Sequence, residues 1–210
     1  MLSPQKAHPF VHASGASLAG SGMKHSRALN TALRTGAIWA GIVLLVLSGA
    51  QSASSADIPS PGDLNPGDSF RFMFLTLTGS PGNQTNIDNW NNFVNLDASG
   101  YTYEGNAIAW KAAISTAVVD ARDNVGGFGT AIPVYLVTGT QVANDLTANS
   151  GGLWNTLLAA PNIGIDGSVL SFPQAWGGSN ADGTNSGSPV GSGFQVSVGT
   201  PNSAAQWLSS

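Results

Sequence analysis

The chain contains no cysteine, and this absence constrains its fold more than any motif that is present. A domain without disulfides must be stabilised by apolar packing, so small disulfide-rich scaffolds are excluded. From Asp57 to Ser210 the chain also lacks histidine and has three positive side chains, Arg71, Lys111 and Arg122. This composition offers no thiolate or imidazole ligand for zinc and no imidazole for a Ser–His–Asp triad. We therefore expect a protein that is not an enzyme and has no metal site.

The first 56 residues have the composition of a secretory signal peptide with a long positive n-region. Their charged side chains are all positive: Lys6, Lys24, Arg27 and Arg34. The uninterrupted apolar run from Ala37 to Leu47 is too short to span a bilayer, which takes roughly 20 apolar residues. Small residues follow, and we expect cleavage after Ala50 or, preferably, after Ala56. The pattern predicts a protein that is secreted or held at the cell surface.

The remainder of the chain is acidic. Eleven acidic and three positive side chains give the residues after Ala56 a net charge of −8, against −4 for the whole chain. Nucleic acids and anionic membranes need a basic patch, so neither is an expected partner of this segment. We expect membrane attachment only through the leader or through a C-terminal anchor. The prolines of residues 57–68 predict a linker, and residues 69–210 have the length of a single globular domain.

Two segments have the pattern of buried strands. Ser69–Leu77 carries apolar side chains on both of its alternating faces, which predicts a central strand. Arg71 is the exception on its face, and we expect its stem to pack while its head reaches solvent. Ala131–Val137 is predicted as a second buried strand that ends at a turn beginning with Gly139.

Two other segments have helical patterns. The first is predicted to begin at the N-cap Thr85 and to bury an apolar face that includes Trp90 and Val94. The opposite, exposed face of this helix is predicted to carry four asparagines: Asn89, Asn91, Asn92 and Asn95. The second predicted helix covers the alanine-rich segment Ala107–Val119, with Trp110 pointing inward.

The chain from Ala143 to Ser210 is predicted to be mostly irregular. Short apolar islands alternate there with glycine, asparagine, serine and proline, and no charged residue follows Asp182. Loops of this extent in a compact domain are usually functional. Together the patterns predict an α+β fold: two helices packed on a small, mostly antiparallel sheet, with a long irregular loop region.

Several motifs resemble known proteins. Gly67–Thr76 and the helix segment Ile87–Val94 resemble the opening of a family of exported, surface-sorted bacterial proteins of unknown function. The later motifs Trp176–Gly178 and Asp182–Gly183 are similar to the layout of C-type-lectin-like and endostatin-like domains. The resemblance implies a lectin-like fold and a C-terminal sorting anchor, so the domain is expected to be truncated at Ser210. The chain lacks the disulfides and the calcium-dependent sugar-binding signatures of C-type lectins.

The candidate ligand-binding residues are Trp176, Asn180 and Asp182. A tryptophan beside asparagine and aspartate is a common platform for a sugar ring, although packing in the core is the alternative. Ser179–Asn185 could offer oxygen ligands to calcium, but an EF-hand loop needs more acidic residues and a terminal glutamate. An Asx turn explains the same spacing, so no specific motif supports calcium. The expected partner is an extracellular glycan or a surface protein.

Two alternative functions are left open. The first is an extracellular hydrolase that uses two carboxylates, drawn from Asp120, Asp123, Asp145 and Asp166, across a cleft. The charge cluster of Asp120, Arg122 and Asp123 fits such a site, but it equally fits a structural ion pair and turn cap. The second alternative is a purely structural surface protein. The principal hypothesis is an exported, non-catalytic domain that binds a glycan or an extracellular matrix.

Overall fold

The structure is a computed structural model that describes residues 8–14, 55–65, 67–171, 174–192 and 196–208. For residues 8–14 it describes the backbone alone. All of these residues belong to one compact unit of mixed α+β structure. Within these ranges, no helix has the length and the apolar character that crossing a bilayer would require. The predicted apolar run from Ala37 to Leu47 lies outside the described residues.

The elements follow one another in the order β1 (His8–Ser14), β2 (Ala56–Asp57), β3 (Arg71–Leu75), α1 (Ile87–Asp97), β4 (Tyr101–Tyr103), β5 (Asn106–Ala107), β6 (Ala109–Ala112), α2 (Ala121–Val125), β7 (Val134–Leu136), β8 (Gln141–Ala143), β9 (Ala175–Trp176) and β10 (Val198–Gly199). The larger sheet has the order β10-β9-β1-β3-β7-β8, and β6 also pairs with β1. Four of its six pairings are antiparallel. The smaller sheet has the order β2-β4-β5.

Strands β3 and β7 confirm the two buried strands that the sequence predicts. β3 lies between β1 and β7 and is therefore central, and Phe72 to Leu75 are buried on both of its faces. All of β7 is buried as well. The turn after β7 forms where predicted, because Gly139 has a positive φ of 87° and its amide donates to the carbonyl of Leu136.

Arg71 at the start of β3 has a different role from the predicted one. It is half-buried, and its guanidinium donates to the carbonyls of Val125 at 3.1 Å and Gly126 at 2.9 Å. These carbonyls end α2, where a cation is favourable. Burial lowers the pKa of Arg71 from its ordinary value.

Helix α1 forms where predicted, but its cap and its polar face differ from the prediction. The N-cap is Asn86, whose side chain accepts a hydrogen bond from the amide of Asp88 at 2.9 Å, and not Thr85. The prediction that Asn91 and Asn95 lie on the outside is wrong. Asn91 is 7% exposed, and both side chains bond to the backbone of β6.

The predicted helix over Ala107–Val119 is wrong, because this segment contains strand β6. Trp110 and Ala112 are buried while Lys111 between them is partly exposed, which is the two-residue period of a strand. Of the alanines that suggested a helix, Ala112 and Ala113 pack in the core, and Ala107, Ala109 and Ala117 are exposed. The second helix of the fold is α2, which begins after Asp120.

Strand β1 comes from the segment whose sequence predicts an export leader and not a part of the fold. It pairs antiparallel with β3 and with β6, and parallel with β9. The segment that the sequence predicts to be a linker lies against the domain as well. There β2 pairs with β4, and Ile58 is buried in the core.

The core consists of two apolar clusters, one built around Trp90 and Trp110 and the other around Trp154 and Trp207. The first two tryptophans are predicted core residues of α1 and β6. The rings of the second pair are tilted by 32° with their centroids 6.0 Å apart, and they anchor the irregular half of the chain. That half, from Ala143 onward, forms few regular elements, as predicted.

Candidate functional site

The candidate loop Ser179–Asn185 is a tight hairpin. An isolated antiparallel bridge joins Ser179 to Asn185 at its base. The amide of Asn180 donates to the carbonyl of Thr184 at 2.8 Å, and the amide of Gly183 donates back to the carbonyl of Asn180 at 3.0 Å. The loop is therefore ordered by its own backbone.

Asp182 at the tip of this loop has the geometry of an Asx turn. Its Oδ1 accepts hydrogen bonds from the amide of Thr184 at 3.0 Å and from the Thr184 hydroxyl at 2.6 Å. Burial favours a higher pKa for Asp182, but the hydrogen bonds from Thr184 and the charge of Arg122 outweigh it and lower the pKa below its ordinary value. The carboxylate is thus ionised near neutral pH and bonded within the loop.

The loop is fastened to helix α2 and to the second core cluster. The amide of Arg122 donates to the carbonyl of Gly183 at 3.2 Å, and the amide of Asn185 donates to Oδ1 of Asp120 at 2.8 Å. Gly183 has a φ of 78° and lies so close to the ring of Trp154 that a Cβ there would collide with it. The charge cluster around Asp120 therefore holds the loop in place.

Arg122 contacts an exposed ring. Its guanidinium carbon lies 5.0 Å from the centroid of Phe128, which is a cation–π geometry. Phe128 is 47% exposed, so this contact lies at the surface and its contribution to stability is small. Arg122 thus takes part in packing both the candidate loop and the segment after α2.

Trp176 has a different environment from the other two candidate residues. It lies in β9 and is half-buried, and its indole N–H donates to the carbonyl of Ser80 at 3.1 Å. Its ring lies against Gly82, where an added Cβ would come within 3.2 Å of the ring carbons. The structure therefore places Asn180 and Asp182 in one loop, whereas Trp176 packs against a different loop that contains Ser80 and Gly82.

Two further aspartates of the irregular half repeat the turn of Asp182. Asp145 accepts hydrogen bonds from the amide and hydroxyl of Thr147 at 2.9 and 2.7 Å. Asp166 accepts the same pair from Ser168 at 3.0 and 2.6 Å, and these bonds lower the pKa of Asp166. Sequence reasoning missed this repeated role, although its signal is visible: an aspartate two residues before a serine or threonine.

Most of the acidic side chains act as structural acceptors. Among the described residues, eight of the eleven accept a hydrogen bond from another residue, and these are Asp57, Asp63, Asp68, Asp97, Asp120, Asp145, Asp166 and Asp182. Three of the four carboxylates considered for a hydrolase belong to this set. In the part of the chain that the structure describes, no three side chains of histidine, cysteine, aspartate or glutamate gather into a group that could hold a metal ion.

A buried pair of hydroxyls, also missed by sequence reasoning, fixes the base of the loop. The Oγ atoms of Ser115 and Ser179 are 2.8 Å apart, and both residues are fully buried. Ser115 Oγ also accepts from the amide of Ala121, and Ser179 Oγ donates to the carbonyl of Gly177. These bonds join the start of α2 to the start of the loop.

Comparison with protein-family models, with curated proteins and with solved structures finds no match for this chain. A functional assignment therefore depends on the geometry described above.

Proposed function

We propose that the chain is an exported, non-catalytic domain that contacts an extracellular glycan through the loop Asn180–Asn185. The observation that carries this proposal is the fixed geometry of that loop, whose backbone, carboxylate and base are all hydrogen-bonded within the domain. A loop that is already ordered loses little conformational entropy when it binds. The exposed amide of Asn180 at its surface suits the hydroxyl groups of a sugar.

Asn180 is the residue of this loop that is best placed for contact. It is exposed, while its Nδ2 donates to Thr184 Oγ1 at 3.0 Å and to the carbonyl of Asn185 at 3.1 Å. These bonds fix the orientation of the amide, so that its oxygen is presented in one direction. In this proposal Trp176 supports the neighbouring backbone, because it is half-buried and its indole N–H donates to the carbonyl of Ser80 at 3.1 Å.

Calcium is not part of the proposed contact. The Asp182 carboxylate already accepts two hydrogen bonds from Thr184, which accounts for the residue without a cation. A lectin-like layout is proposed on the resemblance of the motifs and is compatible with two helices, a mostly antiparallel sheet and a long irregular half. Export is proposed on the composition of the first 56 residues.

The hydrolase remains the weaker proposal. A pair of catalytic carboxylates must be available to substrate on the two sides of a cleft. Asp145 and Asp166 each hold a Thr or Ser turn, and Asp120 holds the base of the candidate loop. Each of these residues thus has a structural role that would oppose its use in catalysis.

The proposal is tested on a glycan array probed with the full chain and with two variants, with and without millimolar calcium. Asn180→Ala is expected to weaken glycan binding at least about tenfold, because it removes an exposed amide from the contact. The unfolding temperature should fall only slightly, because the two hydrogen bonds that the variant loses within the loop are exposed to solvent. Asn92→Ala, an exposed asparagine of α1, is the matched control and should bind like the parent chain.

Two results would contradict the proposal. One is glycan binding that survives Asn180→Ala unchanged, which would remove the loop from the contact. The other is the absence of binding to any glycan in both calcium conditions, which would favour a structural role or a protein partner.

A further inference from the structure

Strand β1 has an unusual position for a segment of a leader. It lies between β3 and β6 and pairs antiparallel with both, with Val11 opposite Phe74 on one side and His12 opposite Lys111 on the other. Among the described strands, β1 alone joins these two. The sheet is therefore divided by a space of one strand's width that β1 occupies.

The hydrogen-bonding directions of β3 show which of its groups face this space. The amides of Arg71 and Leu75 donate to the carbonyls of Pro133 and Ile163, on the side of β3 that faces β7. Because successive amides of a strand point to opposite sides, the amide of Phe74 points to β1.

The outer edge of β6 is covered by asparagine side chains. Asn95 Oδ1 accepts from the amide of Trp110 at 3.0 Å, and Asn91 Oδ1 accepts from the amide of Ala112 at 2.9 Å. The amide of Lys111 between them consequently points to β1. Both sides of the space thus present backbone donors and acceptors to whatever strand lies in it.

These backbone groups lie in a buried, apolar part of the molecule. The rings of Phe74 and Trp110, one from each flanking strand, meet edge to face with centroids 4.7 Å apart. Both residues are nearly inaccessible to solvent. A buried backbone group without a partner costs about 1–3 kcal/mol, so an empty space here would be strongly unfavourable.

The strand that satisfies these groups precedes both predicted cleavage points. Cutting after Ala50 or after Ala56 would break the covalent connection between β1 and the rest of the sheet. A chain cut while β1 is in place would hold this strand only through the pairings with its neighbours, which is how a peptide is held when it adds a strand to a sheet. The inference does not use export, because a signal peptide removed during export would take β1 away from the mature domain.

We propose that the space between β3 and β6 is a strand-acceptor site, that His8–Ser14 of the same chain fills it, and that cutting the chain after this strand converts it into an exchangeable peptide ligand. The ligand class is an extended segment that pairs antiparallel on both edges. This inference goes beyond the proposed glycan contact and does not depend on it.

The test uses the full chain with a specific protease site inserted between Ser17 and Leu18. After cutting, the fragment that contains β1 is expected to co-elute with the rest of the chain in size exclusion. A labelled synthetic peptide of residues 1–17 should replace it. The same peptide carrying Val11→Pro should bind at least about tenfold more weakly, since proline removes the amide that faces β3. A Val11→Thr peptide keeps this amide and is the matched control.

Hydrogen exchange at two backbone amides supplies a second measurement. The amides of Phe74 and Lys111 are expected to be protected in the uncut chain, to lose protection when the cut fragment is washed away, and to regain it with the peptide. Amides of β7 serve as the internal control.

Three outcomes would overturn the proposal. In the first, the cut fragment separates at once while Phe74 and Lys111 stay protected. In the second, the proline peptide binds as well as the parent peptide. In the third, the chain is a dimer whose mass halves on adding the peptide, which would place the strand of a second copy in the site.

Discussion

At the scale of single residues, the irregular half of the chain is ordered by small polar contacts and by glycines in positions that other residues tolerate poorly. Asp145, Asp166 and Asp182 each hold a turn by accepting from a hydroxyl residue two positions later. Gly183 follows one of these aspartates and packs against Trp154. The combination keeps a loop rigid without regular secondary structure.

We predict that Gly183→Ala destabilises the protein by about 3 kcal/mol, because the substitution combines a strained positive φ with overpacking against a core ring. Gly187→Ala is the control: its φ of 80° is similar, but no atom lies within 4 Å of an added Cβ. The control should cost about 1 kcal/mol. Urea unfolding measures both, and equal losses would show that the Trp154 contact contributes nothing.

A second prediction concerns Tyr135, whose hydroxyl donates to Oδ2 of Asp63 at 3.0 Å. Burial and this carboxylate raise the pKa of Tyr135 to about 12. The folded state therefore holds the phenolic proton more tightly than the unfolded state, so the associated stability is complete below about pH 10 and is lost as the pH rises towards 12. In Tyr135→Phe the free energy of unfolding should lose this contribution to its fall with pH, and unfolding measurements from pH 9 to 12 test this. An unchanged pH dependence in the variant would contradict the assignment.

At the scale of elements, helix α1 and strand β6 are joined by amide side chains as well as by apolar packing. Asn91 accepts from the amide of Ala112 and exchanges hydrogen bonds with Asn124 of α2, whose Nδ2 also donates to the carbonyl of Ala112 at 2.7 Å. Asn95 likewise accepts from the amide of Trp110 and donates to its carbonyl. These side chains substitute for a neighbouring strand and cover an edge that could otherwise pair with another chain.

We predict that Asn91→Ala destabilises the protein by about 2–3 kcal/mol, because it leaves the buried amide of Ala112 without its acceptor. Asn92→Ala, one position along the same helix, should be neutral or slightly stabilising, since Asn92 is exposed and alanine is the better helix former. Thermal unfolding of the two variants measures the difference. Equal effects would mean that the asparagine bonds to β6 contribute no net stability.

This interface also shows where prediction from the sequence failed. The apolar period of α1 is a local pattern and predicts the helix correctly, but nothing in the local sequence distinguishes the buried Asn91 from the exposed Asn92. The segment around Trp110 and Ala112 is alanine-rich, which favours a helix by intrinsic propensity. Pairing with β1 and with the asparagines of α1 outweighed that propensity, and such partners cannot be read from the segment itself.

At the scale of the whole molecule, the acidic charge of the chain is used largely for structure. Carboxylates hold turns, the base of the candidate loop and the contact between Asp63 and Tyr135. The three positive side chains after Ala56 cannot balance the eleven acidic ones, so hydrogen bonds stabilise the carboxylates more than ion pairs do. The stability of the protein should therefore depend on pH in the acid range.

We predict that Asp182→Asn makes the stability of the protein less dependent on acid pH. The pKa of Asp182 is lowered in the folded state, so its charge contributes stability above the unfolded value of about 3.9 and this contribution is lost as the pH falls through the lower folded pKa. The variant should be less stable than the parent at pH 7, and the gap should close towards pH 2. Urea unfolding between pH 2 and pH 7 measures this difference in stability. Glu104→Gln, at an exposed residue, is the control for the loss of a charge. A gap that stays constant would exclude a charge effect.

What the sequence by itself determined are the features that depend on neighbours along the chain. The apolar runs of β3 and β7, the apolar face of α1 and the irregular half rich in glycine and asparagine are all readable within short windows of sequence. The tertiary structure alone decided that the segment at Trp110 is a strand, that Asn91 faces inward, that His8–Ser14 lies between two strands and that the loop of Asp182 is fastened to α2. Each of these depends on hydrogen bonds between distant segments, and such partners come into reach only when the whole chain has folded.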